Sequence, residues 1–132
     1  MSVTIRDRAD RCPGILRPWP AADGLLVRVR LIGGHATAAQ LRGLVAAASA
    51  FGDGRIRPTT RANLQLRAFP GTDGVLDADA LAAIEASGLL PAPTHDRVRN
   101  ITVSPQTGIA GGRADLRGVA AELDALIVAS SV

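Results

Sequence analysis

Four arginines, at 55, 57, 61 and 67, fall within the stretch Gly54-Arg-Ile-Arg-Pro-Thr-Thr-Arg-Ala-Asn-Leu-Gln-Leu-Arg67. A guanidinium is planar and permanently charged, and it meets a carboxylate with two parallel hydrogen bonds. Several held on one surface suit a flat ligand bearing many carboxylates, a phosphorylated ligand, or nucleic acid. The stretch reads as two short strands joined through Pro58-Thr59-Thr60. Side chains alternate across a strand with a period of two. Ile56 therefore points one way and Arg55 and Arg57 the other. In the second strand Leu64 and Leu66 oppose Asn63, Gln65 and Arg67. Leu25 to Leu31 repeats the pattern, with Leu25, Val27, Val29 and Leu31 opposite Arg28 and Arg30. A sheet built from these strands buries one face. The other carries Arg28, Arg30, Arg55, Arg57, Asn63, Gln65 and Arg67. A merely solvated face has the same alternation, but three strands placing arginine on one side favour a ligand.

Composition bounds the alternatives. The chain has 132 residues, enough for one domain with a modest core. Apolar residues make up 47% and aromatics only 2%, so that core is aliphatic. Net charge is +3, and all 15 basic residues are arginine. Alanine and glycine are abundant too, so the positions of the arginines weigh more than their number. Cys12 is the one cysteine, which excludes an internal disulfide and a cluster or zinc site ligated by this chain's cysteines. No stretch approaches the roughly 20 apolar residues of a membrane span, and no secretory signal is visible. A soluble cytoplasmic protein is expected. No carboxylate pair or cysteine–histidine pair suggests itself for catalysis. His35 and His95 read as surface residues rather than axial ligands.

The elements that must position the arginine face follow from capping and periodicity. Residues 1–20 hold Pro13, Pro18 and Pro20 and read as an irregular, extended arm. Within it Trp19 reads as a packing anchor. Ala21-Ala22-Asp23-Gly24 is a turn. Thr37-Ala38-Ala39-Gln40 has capping-box spacing, so a helix should start there and run to about Ala50, with Leu41, Leu44, Val45 and Ala48 inward. Residues 70–74 form a loop. Asp77 or Asp79 caps a second helix, in which Leu81 and Ile84 face inward and which Gly88 ends. Val98–Val103 reads as a fourth strand. Asp115–Val128 is a last helix, with Leu116, Val119, Leu123 and Leu126 on one side. The order strand, helix, strand, strand, helix, strand predicts an α+β, ferredoxin-like βαββαβ sandwich: an antiparallel sheet with helices on one face, plus a C-terminal helix.

The Gly54–Arg67 stretch, Gly88-Leu89-Leu90, and Arg99-Asn100-Ile101-Thr102-Val103-Ser104-Pro105-Gln106-Thr107-Gly108 together resemble the nitrite and sulfite reductase haemoprotein family. Cys12-Pro13-Gly14-Ile15-Leu16-Arg17 and Ala21–Leu25 are most similar to its cobalamin-pathway branch, the precorrin-3B synthases. The resemblance covers residues 9 to 128 or so. It implies an N-terminal arm over 1–20, a ferredoxin-like half domain over 21–96, and over 97–132 the truncated start of the unit that holds sirohaem and a four-iron cluster. It also implies that Arg61 and Arg99 reach an anionic tetrapyrrole, with Arg57, Gln65 and Asn100 as further partners. The family's cluster cysteines and catalytic lysines have no counterpart here. No cofactor is therefore expected on this chain alone, and the chain alone is expected to be inactive.

Three functions compete. One is the N-terminal part of a precorrin-3B synthase-like oxidoreductase of cobalamin biosynthesis, or of a sulfite or nitrite reductase. Another is a stand-alone module that binds a tetrapyrrole or docks to a partner. The third is a nucleic-acid binder, ranked last because such sheets stack bases on aromatics and these strands hold none before Phe69. Family members contain two similar halves, so a homodimer, or a chain supplying the second half, is the expected partner.

Overall fold

A computed structural model describes residues 13–90, 101–105, 107–109 and 112–130. Its main sheet has four strands in the order β1-β2-β4-β3: Trp19–Ala21, Gly24–Val29, Leu64–Phe69 and Arg57–Pro58, all antiparallel. Helices α1 (Ala38–Phe51) and α2 (Ala78–Glu85) pack on one face, a small hairpin of β5 (Gly71–Thr72) and β6 (Val75–Leu76) lies between, and α3 (Arg117–Ala129) closes the chain. The antiparallel sheet with helices on one face, followed by a C-terminal helix, is the ferredoxin-like α+β arrangement expected.

The alternation in β2 is realised directly: Leu25, Val27 and Val29 are buried, and Leu26 and Arg28 are not. In β4, Leu64 and Leu66 join them in a core completed by Ile15, Leu44, Ala47, Ala48, Ala80 and Ile84. A bulge then shifts the phase. Leu66 pairs with Val27 but Phe69 pairs with Leu25, so two residues of β4 oppose Leu26 alone. Ala68 takes a positive φ of 62° there, and Phe69 turns inward to become a fully buried core residue. Helix α1 starts as expected. Thr37 Oγ1 accepts the Gln40 N–H at 3.1 Å, and Gln40 Oε1 accepts the Thr37 N–H at 2.9 Å. Asp77 stands at the N-cap of α2, but its side chain makes no capping bond.

Several expectations change. The arm is not wholly irregular: its end forms β1, a hairpin partner of β2 through the turn at Ala22-Asp23. Further back, Gly14 O accepts the Arg28 N–H at 3.4 Å, and Pro13 O accepts Arg30 Nη1 at 3.1 Å. The arm thus covers the outer edge of β2. Trp19 is no packing anchor within this chain, for 45% of its surface stays exposed. β3 is only Arg57–Pro58, since Pro58 lacks an N–H to extend the ladder. Of the expected strand at 98–103, residues 98–100 lie outside the described residues. Ile101 to Val103 are not in a strand; Ile101 O instead accepts the Gly33 N–H at 2.8 Å. On α3 the predicted inward stripe faces solvent. Leu116, Val119, Leu123 and Leu126 are all exposed, and Ala120 alone is buried, against Gly33. No described helix is long and apolar enough to cross a membrane.

Candidate functional site

Strand register turns the sequence pattern into a row. Gln65 pairs with Arg28 on one side and with Arg57 on the other. Directly paired residues of an antiparallel ladder share a face, so Arg28, Gln65 and Arg57 stand side by side across β2, β4 and β3, away from the helices. Two of their donors have no acceptor among the described residues: Arg28 Nε and Arg57 Nη1 are both buried and unpartnered. A buried donor left unsatisfied costs free energy comparable to a lost hydrogen bond, and a carboxylate relieves that cost once the guanidinium turns outward to meet it.

The other arginines divide by their partners. Arg67, also on this face, is clamped by Asp23, with Nε to Oδ2 at 3.1 Å and Nη2 to Oδ1 at 3.3 Å. Arg57 gives its other terminal nitrogen, Nη2, to Asp53 Oδ2 at 2.9 Å. These bonds hold the Asp23 and Asp53 carboxyls below the usual carboxylate range, the arginine hydrogen bond being the largest cause in each. Arg55 precedes β3, is exposed, and gives its backbone N–H to Asp53 Oδ1. Arg30 is buried against Pro13 rather than displayed. Asn63 is not on the ligand face at all. It is buried, and its Oδ1 accepts the Leu31 N–H at 3.0 Å, tying the start of β4 to the end of β2.

Arg61 sits in the turn between β3 and β4. Thr59 Oγ1 accepts the N–H groups of Arg61 and Asn63, at 3.3 and 3.2 Å, and Ala62 takes a positive φ of 56°. This bonding presents the Arg61 guanidinium to solvent, where it makes no ion pair among the described residues. Arg99 and Asn100 lie outside the described residues.

A groove of about 600 Å³, unannounced by any motif of the sequence, lies at this end of the sheet. Its walls are Gly33–His35, the turn residues Thr59, Thr60 and Ala62, and residues 102–105 and 107–109, with Arg117 at one side. A neighbouring cavity of about 480 Å³ shares Gly33, His35, Val103 and Arg117 and continues past Thr37, Gln40 and α3. The Thr-Thr turn and the segment that follows Arg99-Asn100, two separate motifs in the sequence, thus face one another. Hydroxyls of Thr59, Thr60, Thr102 and Ser104 at the lining were the available signal. Thr107, also on the lining, is spoken for: its Oγ1 accepts the Leu116 N–H at 2.7 Å and donates to Ala114 O at 3.0 Å, serving as the cap that Leu116 cannot supply to α3. Among the described residues no three His, Cys, Asp or Glu side chains group as metal ligands.

Comparison with known proteins agrees with this architecture. Residues 20–74 match the nitrite/sulfite reductase ferredoxin-like half domain. A precorrin-3B synthase from Sinorhizobium sp. is 37% identical over 120 residues, which is 88% of this chain and 24% of that protein. A ferredoxin–nitrite reductase from Leptolyngbya laminosa is 34% identical over 130 residues, 96% of this chain and 25% of that protein. The chain therefore spans about a quarter of the length of these curated relatives. No solved structure matches.

Proposed function

Since the chain belongs, through its ferredoxin-like half domain, to the nitrite/sulfite reductase family, we propose that it is the N-terminal, tetrapyrrole-binding part of a precorrin-3B synthase-like oxidoreductase of cobalamin biosynthesis. The observation that carries the reading is the row Arg28–Gln65–Arg57 with its two unpartnered guanidinium donors. Precorrins and sirohaem carry several acetate and propionate groups, and carboxylates are what such donors bind best. On this reading Arg28, Arg57 and Gln65 hold carboxylates from the sheet, Arg61 reaches a further one from its turn, and Arg99 and Asn100 join from the segment before Ile101. The half domain then corresponds to 21–96, with the arm before it and the start of the next unit from 97.

The residues present fit a polycarboxylated tetrapyrrole; they do not fit a four-iron cluster. Such a cluster takes four thiolates, and this chain has one cysteine. When bound, the tetrapyrrole brings the redox-active ring, while this chain orients it through its carboxylates. A nitrite or sulfite reductase fragment is the second reading, favoured by the ferredoxin–nitrite reductase relative. The proposed partner is a second copy or a chain carrying the second half, in keeping with the exposed apolar row on α3.

Titration of the chain with an octacarboxylate porphyrin and with a dicarboxylate porphyrin tests the reading. The octacarboxylate should bind more tightly. Arg57→Ala, Arg61→Ala and Arg99→Ala should each weaken it, by about 1.5–3 kcal/mol for one charged hydrogen-bonded contact. Equal affinity for both porphyrins, or indifference to all three changes, returns the face to a solvated surface.

A further inference from the structure

Trp19 is the single tryptophan of the chain, and the structure leaves it 45% exposed on a strand. It pairs in register with Leu26. Leu26 alternates with the buried Leu25 and Val27, so it lies on the open face, one pleat along β2 from Arg28. Trp19 shares that face through its pairing with Leu26. The open face therefore has two halves. One is apolar, Trp19 and Leu26. The other is the polar row of Arg28, Gln65 and Arg57. Arg67, opposite Leu26 on β4, is already neutralised by Asp23. From β1 to β3 the face crosses three strand spacings, about 14 Å, wide enough to carry a ring system rather than a single small anion.

An exposed indole is costly surface, and tryptophan beside unpartnered guanidinium donors combines stacking with charge recognition. A small aliphatic polyanion has no use for the indole. An apolar partner surface has no use for the free donors of Arg28 and Arg57. A flat macrocycle with carboxylates at its rim uses both. We infer that Trp19 and Leu26 form the apolar floor of the ligand platform, on which the ring of a polycarboxylated macrocycle lies while Arg28 and Arg57 take its rim carboxylates. This rests on the tetrapyrrole reading above and adds to it the stacking residue and the contribution of Arg28.

The single tryptophan is its own reporter. Binding of uroporphyrin, an octacarboxylate, is measured by equilibrium dialysis and, separately, by quenching of Trp19 emission; butanetetracarboxylate serves as a flexible, ringless control. The expected result is that uroporphyrin quenches Trp19 in step with the dialysis isotherm. Trp19→Ala should weaken uroporphyrin about tenfold, the scale of a lost stacking contact, and leave butanetetracarboxylate unchanged. Arg28→Gln should weaken both. Circular dichroism of each variant checks the fold, and Trp19→Phe, which keeps a ring, should restore most of the affinity. Uroporphyrin binding that neither quenches Trp19 nor responds to Trp19→Ala overturns the floor while leaving the tetrapyrrole reading intact. No uroporphyrin binding by dialysis overturns both. Concentration-dependent self-association abolished by Trp19→Ala, without uroporphyrin binding, assigns the patch to a protein interface and likewise overturns the inference.

Discussion

The carboxamide oxygen of Asn63 accepts the backbone N–H of Leu31 at 3.0 Å, across 32 residues of sequence. The bond fastens the turn that presents Arg61 to the end of β2, from which Gly33, Gly34 and His35 go on to line the groove. Asn63→Leu keeps the branched side-chain shape and removes the acceptor, leaving a buried N–H unsatisfied. The expected loss is about 1–3 kcal/mol, read from urea unfolding. A change within about 0.5 kcal/mol, the range of an ordinary surface substitution, would show that Leu31 finds another acceptor.

Gly52 lies where α1 ends against β4. A Cβ added there would meet Arg67 O and Phe69 Cε2, each at 2.7 Å, and both belong to the sheet. Gly52→Ala must push the helix end off β4 or turn the Phe69 ring, with an expected cost of about 1–3 kcal/mol. Gly54→Ala is a poor control because of its φ of +77°. Ala50→Gly, on the exposed face of α1, serves better and should cost about 1 kcal/mol through helix propensity alone. Gly52→Ala unfolding at the wild-type midpoint would mean the packing there is loose.

Acid should weaken the fold through three exposed pairs. Arg117 hydrogen-bonds Asp115 and lowers its carboxyl from the ordinary 3.8 to about 2. Asp23 and Asp53 are lowered in the same way by Arg67 and Arg57. Because the folded-state values lie below the unfolded ones, the stabilisation is fully present above about pH 4. It is lost as pH falls through the folded values, for Asp115 near 2. Carboxyl shifts followed by NMR between pH 5 and pH 1.5 or so should show Asp115 titrating last of the three, and added salt should move it upward. An Asp115 midpoint at its ordinary value would remove the pair.

Asp53 competes with any anion for Arg57. Asp53→Asn should therefore tighten binding of a polycarboxylate, provided that Arg57 takes part, and the gain should vanish in the Asp53→Asn, Arg57→Ala double variant. Titration of both variants with the octacarboxylate porphyrin reads this directly. Weaker binding in Asp53→Asn would show that Asp53 positions Arg57 rather than diverting it.

The row Leu116, Val119, Leu123 and Leu126 repeats on one side of α3 and is exposed throughout. Such a face associates when a partner is available. Light scattering at rising micromolar concentration should show mass above the monomer, and Leu123→Glu with Leu126→Glu should abolish the increase. A monomer mass at every concentration argues against self-association through α3.

Much of this protein was legible in its sequence because local rules dictate it. Period-two alternation put Val27, Val29, Leu64 and Leu66 in the core and Arg28, Gln65 and Arg57 opposite them. The Thr37–Gln40 spacing placed the start of α1, since its two capping bonds involve residues only three apart. Tertiary structure decided what local pattern leaves open. Period two cannot foresee a bulge, so the burial of Phe69 depended on the pairing of β4 with β2. Alternation cannot tell a displayed arginine from a clamped one. Asp23 reaches Arg67 because the β1–β2 turn folds over β4, 44 residues away in sequence. Asn63 fits the polar face by its phase, yet it went inward because Leu31 offered an N–H with no ladder partner. Trp19 read as a core residue from its type alone, and only strand pairing put it on the open face. The stripe on α3 has the spacing of a buried helix face; whether such a stripe is covered depends on what packs against it, and spacing alone carries no information about that.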